Sequence, residues 1–171
     1  MKTTLNDIRD CKPCSDSWKK LLTYLGKTAA DDEPLSISGI LDSNGLDDAL
    51  WCLRAVKGYE KEMRLFAVWC VRRIQYLNTD PRIEAALVVA EGFANGSVTE
   101  NQLYRAGFEV ASIRPRDNVC SSAEGTTIVF ASFAAAVSAS SAVRAAAATG
   151  AEEHIQAFKL RRLCAEIDAR V

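Results

Sequence analysis

The sequence predicts an all-α protein, an irregular bundle of about seven to eight helices with a central helix near residues 59–77 and an Ala-rich C-terminal helix pair. Three observations carry this. LDDALWCLRAV, RLFAVWCVRRIQYL and DPRIEAALVVAEGFANG follow one another between Leu46 and Gly96, each with apolar residues at helical spacing. Helix-starting and helix-ending residues punctuate the chain at the right places. The second half is rich in alanine, which suits close helix packing.

Taken in order, Leu5–Arg9 fits one helical turn. Ser15 fits an N-cap for a helix to Leu25, with Trp18, Leu21, Leu22 and Leu25 on one side and Gly26 closing it. A polar loop with the acidic run Asp31-Asp32-Glu33 leads to a short helix over Leu35–Leu41, ended by Asn44-Gly45. Leu46–Val56 places Leu46, Ala49, Leu50 and Leu53 on one stripe and turns Trp51 away from it, toward Asp47, Asp48 and Ala55. Tyr59–Leu77 is apolar nearly all round: Met63, Phe66, Ala67, Cys70, Ile74 and Leu77 on one stripe, Leu65, Val68 and Trp69 beside it. Arg72 projects among the second set, so it is expected at least partly buried and paired with a carboxylate, Asp47 or Asp48 being the nearest choices. Asp80-Pro81 opens a helix that Asn95-Gly96 ends, and Thr99–Gln102 reads as a capping box for a helix to about Ile113. Arg114–Asn118 is a break. A second capping box, Ser121 with Glu124, starts a helix to about Ala148, and Ala151–Ala169 is the last helix, packing on its small residues.

With 171 residues, 49% hydrophobic and 25% charged, the chain suits a single domain spanning 1–171 with a substantial core. A net charge of −1 and a pI near 5.9 offer no basic stripe, so no nucleic-acid partner is expected. Met1-Lys2-Thr3-Thr4 runs into a polar segment with no secretory leader, and the uncharged stretch from Gly125 to Val143 has too much Ala, Ser, Thr and Gly for a membrane span. Scattered cysteines, several among apolar helical residues, fit reduced thiols in the cytoplasm.

Little in the chain points to catalysis. Cys11-Lys12-Pro13-Cys14 is the most conspicuous local motif. A redox reading gains from the helix start behind Cys14, but a redox fold would need a strand before it, and a zinc site would need a second pair. An ordinary turn is the simpler reading. His154, the single histidine, lies beside Glu152 and Glu153 and reads as a surface residue. No catalytic residue, metal or cofactor is therefore expected. Binding is the simpler role, and the candidate partner-binding residues are Asp47, Asp48, Trp51 and Arg54, extended by Asp31, Asp32 and Glu33.

DDALWCLRAV, RLFAVWCVRR, DPR followed by VAEGFANG, and the TENQL start resemble the immunity-protein family of bacterial toxin systems and phages. The resemblance spans roughly Leu5–Leu103, making 1–103 the family-like part and 104–171 a divergent Ala-rich part. It implies an all-helical protein that neutralises a partner protein, a toxin. Two other readings stand beside it: a phage anti-defence protein that sequesters a host immune component or its signal, and a small enzyme of unknown chemistry.

Overall fold

The computed structural model describes residues 1–73, 80–112 and 153–170. The fold is all-α. Its elements are β1 (Lys2–Thr3), α1 (Leu5–Asp10), α2 (Ser15–Leu25), β2 (Leu35–Ser36), α3 (Ile37–Asn44), α4 (Leu46–Cys52) continuing into a 3-10 turn (Leu53–Ala55), α5 (Glu60–Arg73), α6 (Pro81–Ala94), α7 (Glu100–Ala111) and α8 (Glu153–Asp168). They fall into two compact units, Met1–Tyr59 with Glu153–Val171, and Glu60–Glu152. That division runs across the 1–103 and 104–171 parts suggested by the sequence. The Arg114–Asn118 break, the Ser121 capping box and the alanine-rich helix lie outside the described residues.

In the first unit, α3 and α4 share a glycine. Gly45 ends α3 and begins α4 at φ 97°, a conformation that an L side chain rarely adopts. The sharp turn brings Ile37, Ile40 and Leu41 of α3 together with Leu46, Ala49, Leu50 and Leu53, all buried. α8 packs on α3 and α4 and buries Leu160, Cys164 and Ile167. Asp168 of α8 pairs with the Met1 ammonium at 2.9 Å, and Arg161 pairs with Asp42. Ile155 and Phe158, though apolar, are 43% and 63% exposed, so α8 buries a narrower stripe than its sequence offers.

A two-residue antiparallel pairing of β1 with β2, Lys2 opposite Ser36, stands where the sequence suggested helix for Leu35. So short a pairing leaves no alternating pattern to read. Ser36 then caps α3, its Oγ accepting from the Gly39 amide at 2.9 Å.

In the second unit α6 packs against both α5 and α7. α5 buries Phe66, Ala67, Val68, Cys70 and Val71, an arc of about half its circumference at 100° per residue. Asp80 caps α6: its carboxylate accepts from the Arg82 amide at 2.9 Å and from the Arg82 guanidinium at 2.7 Å, with Pro81 in the first turn. Thr99 and Gln102 form the expected capping box of α7. The chain folds back tightly between α6 and α7, and Gly92 makes room for it, since a Cβ there would stand 2.5 Å from Val98 Cγ2.

Arg72 pairs with carboxylates, as its sequence suggested, but it is exposed rather than buried among Leu65, Val68 and Trp69, and its partners are Glu84 and Glu91 where Asp47 or Asp48 was expected. Its side chain is 38% exposed and reaches Glu84 at 3.1 Å and Glu91 at 2.9 Å on α6. Leu65 and Trp69 are themselves only half-buried, so that side of α5 is the rim of the α5–α6 packing.

Two outcomes follow from this packing. Gly92→Ala improves helix propensity by about 1 kcal/mol, yet the overpacking against Val98 costs about 1–3 kcal/mol, so a net loss of stability is expected in urea unfolding. Gln156 is fully buried and, among the described residues, its amide oxygen and nitrogen find no hydrogen-bond partner. Gln156→Leu should therefore raise the melting temperature, by the equivalent of about 1–3 kcal/mol; a lowered one would mean that the amide is satisfied after all.

Candidate functional site

α4 has one side committed to the core and another that faces outward. Asp47, Trp51 and Arg54 fall within a narrow sector of the helical wheel, at i, i+4 and i+7. Asp47 and Arg54 are exposed and Trp51 is half-buried. The Arg54 guanidinium carbon lies 4.3 Å from the Trp51 ring centroid, and its Nε donates to the Trp51 carbonyl at 3.0 Å. Such a cation–π contact at a surface contributes about 0.5–1 kcal/mol and holds both side chains in place. The patch thus presents a flat, cation-capped aromatic beside a carboxylate.

Asp48 is one residue from Asp47 in sequence but has another task. It turns toward α2 and α3, where its Oδ1 accepts from Ser17 Oγ at 2.9 Å and its Oδ2 from Asn44 Nδ2 at 2.8 Å. Asn44 Nδ2 also donates to the Ser17 carbonyl at 2.9 Å. A carboxylate engaged by two donors joins three helices and is poorly placed to meet a partner.

The acidic run is organised from within the chain. Lys27 Nζ lies 2.7 Å from Asp31 Oδ2 and 2.6 Å from Glu33 Oε2. Asp32 accepts from Asn6 Nδ2 at 2.8 Å, and the Asn6 amide donates to the Asp31 carbonyl at 3.1 Å. α1 connects this loop to the end of α4: Thr3 Oγ1, just ahead of α1, donates to the Ala55 carbonyl at 2.8 Å, and Lys57 pairs with Asp7 at 2.8 Å. The sequence-derived group of seven therefore divides into an outward trio, an inward Asp48 and a self-paired loop.

Cys14, not Ser15, occupies the N-cap of α2. Its exposed thiol donates to Ser17 Oγ at 3.0 Å, and Ser17 in turn donates to Asp48. The Ser17 hydroxyl, followed by the amides of the first turn, holds the Cys14 thiol below its ordinary range, while slight burial and the Asp48 charge oppose them. Cys52 behaves oppositely: burial pushes its thiol up to about 12. Cys11, Cys14, Cys52, Cys70 and Cys164 all stand as thiols. Among the described residues no group of three or more His, Cys, Asp or Glu side chains is arranged to hold a metal, and no helix is long and apolar enough to cross a membrane. His154 is exposed at the start of α8.

The sequence reading missed one surface. Tyr104 and Phe108 on α7, 59% and 53% exposed, meet edge to face at 4.7 Å. Their i,i+4 spacing was visible in the sequence, but nothing there marked which side of α7 faces outward.

Comparison with family models, with curated proteins and with solved structures finds no match to this chain.

Removing the Asp48 carboxylate should cost stability. Asp48→Ala strands two donors and is expected to lose about 1–3 kcal/mol in urea unfolding. The loop has a pH signature. Lys27 depresses the Asp31 carboxyl below its ordinary 3.8, so that contribution is present above 3.8 and lost as pH falls through the lower folded value. Asp31 and Glu33 raise Lys27 above 10.5, so its contribution is present below 10.5 and lost only at more alkaline pH. In an NMR titration, Lys27→Met should move the Asp31 midpoint upward.

Proposed function

We propose that this chain is a non-enzymatic binding protein of the immunity type, which neutralises a partner protein through the outer side of α4. The observation that carries the reading is Trp51. Its helix already buries a full stripe in Leu46, Ala49, Leu50 and Leu53, so the core does not require the indole, which lies half-buried under Arg54 between exposed polar residues. Tryptophan and arginine are the side chains most often found at energetic centres of protein interfaces, because they combine large apolar area with directional polar contacts. The resemblance of residues 46–96 to immunity proteins supports the same reading, in which the partner is a toxin.

The test is neutralisation of a toxin, sought first among the products of the genes beside this one. Co-expression with the wild-type chain should restore growth. Trp51→Ala and Arg54→Glu should each weaken the complex in calorimetric titration, Trp51→Ala by more than about 2 kcal/mol, while their thermal unfolding stays cooperative. Full protection by Trp51→Ala would remove α4 as the binding surface. Failure of the wild-type chain to bind or protect against the neighbouring product would remove the immunity reading itself.

A further inference from the structure

We propose that the outer side of α4 is also a contact between two copies of this chain, which meet across a two-fold axis beside Trp51. The inference concerns the face assigned above to a toxin but does not rest on that assignment, and its test contains no toxin.

The charges of α4 and its flanks fall into two groups. Several are answered within the chain: Asp42 by Arg161, Asp48 by Ser17 and Asn44, and Lys57 by Asp7. Asp47 and Arg54 are not. Both are exposed, and among the described residues the Asp47 carboxylate and the two Nη groups of Arg54 have no partner. Arg54 commits only its Nε, which donates to the Trp51 carbonyl at 3.0 Å, and its stacking on the indole holds the guanidinium in place. An ordered guanidinium with both Nη groups open fits a carboxylate.

The order of the three residues selects the occupant. Trp51 stands four residues after Asp47 and three before Arg54. The rise is about 1.5 Å per residue in α4 and about 2 Å in the 3-10 turn that holds Arg54, so acid and base lie roughly 6 Å to either side of the indole along the axis. A segment that reads acid, aromatic, base at equal spacing is its own complement when reversed. Two copies laid antiparallel set Asp47 of each opposite Arg54 of the other, with the two indoles side by side at the centre. A parallel arrangement would oppose like charges. The antiparallel contact uses the same patch on both chains and closes at two. Three side chains are far fewer than the roughly 20–30 residues a side of a standard interface, so the dimer is weak and exchanges rapidly. Where the face also takes a toxin, the second copy must leave first, so self-association lowers the toxin's apparent affinity as the chain becomes concentrated.

Sedimentation equilibrium of the full chain, taken up to about 1 mM, reads the association directly. Wild type should fit a monomer and a dimer, with the dimer fraction falling as sodium chloride is added. Asp47→Arg leaves two cations on this face and Arg54→Asp leaves two carboxylates. Each substitution acts twice in a symmetric dimer, so either variant alone should associate at least about tenfold more weakly. Mixed in equal amounts, the two variants should associate again, because every cation then faces a carboxylate. The proposal falls if wild type stays monomeric throughout, if it grows beyond a dimer, if either single variant associates as wild type does, or if the mixture stays monomeric. Should a variant lose its helical circular dichroism, the wild-type salt series decides: a dimer fraction that does not fall with salt overturns the contact. A monomeric chain leaves the toxin reading standing, and a dimer that fails to neutralise a toxin removes that reading alone.

Discussion

The first unit depends on the carboxylate of Asp48. Two polar donors from other parts of the chain, Ser17 on α2 and Asn44 at the end of α3, converge on it from α4. Asn44 spans the junction a second time through the Ser17 carbonyl. A carboxylate held this way fixes direction as well as distance, which apolar packing alone does not. It sets how α2 lies on the α3–α4 turn, and so where the Cys14 thiol stands. It also fixes the rotation of α4: with Asp48 turned inward and Leu46, Ala49, Leu50 and Leu53 in the core, the sector holding Asp47, Trp51 and Arg54 is left facing outward.

That division of labour accounts for the partial burial of Trp51. The Arg54 guanidinium covers one face of the indole. Such a pair is already ordered before any partner arrives, and pre-ordered side chains lose less entropy on binding. The acidic loop is ordered too, by Lys27 and Asn6, but its charges are largely answered within the chain, leaving less of its field to attract a partner.

The second unit is governed by a steric constraint. α6 is the helix shared by α5 and α7, and the chain returns from it so closely that only a hydrogen fits at Gly92. Arg72 bridges Glu84 and Glu91 across the α5–α6 rim. The exposed ion pairs there contribute about 1 kcal/mol or less, so apolar burial by Phe66, Val68, Ile83 and Leu87 is the main source of cohesion.

The sequence by itself determined the all-α class, most helix starts and stops, and the core stripe of α4. Those features are local: a 3.6-residue period, Asp80-Pro81, the Thr99–Gln102 box and Gly45 each act within a turn or two of themselves. What only the tertiary structure decided involves residues distant in the chain. Periodicity told that Trp51 points away from its stripe, but not that Arg54 covers it. Asp48 and Asp47 look alike in sequence, and only the approach of Ser17 and Asn44 separates a structural carboxylate from an exposed one. Arg72 was matched to the wrong acids because pairing follows which helix lies alongside, and α6 packs on α5. The cap of α2 moved from Ser15 to Cys14 by a single residue, a shift invisible to spacing rules that sets an exposed thiol beside Ser17.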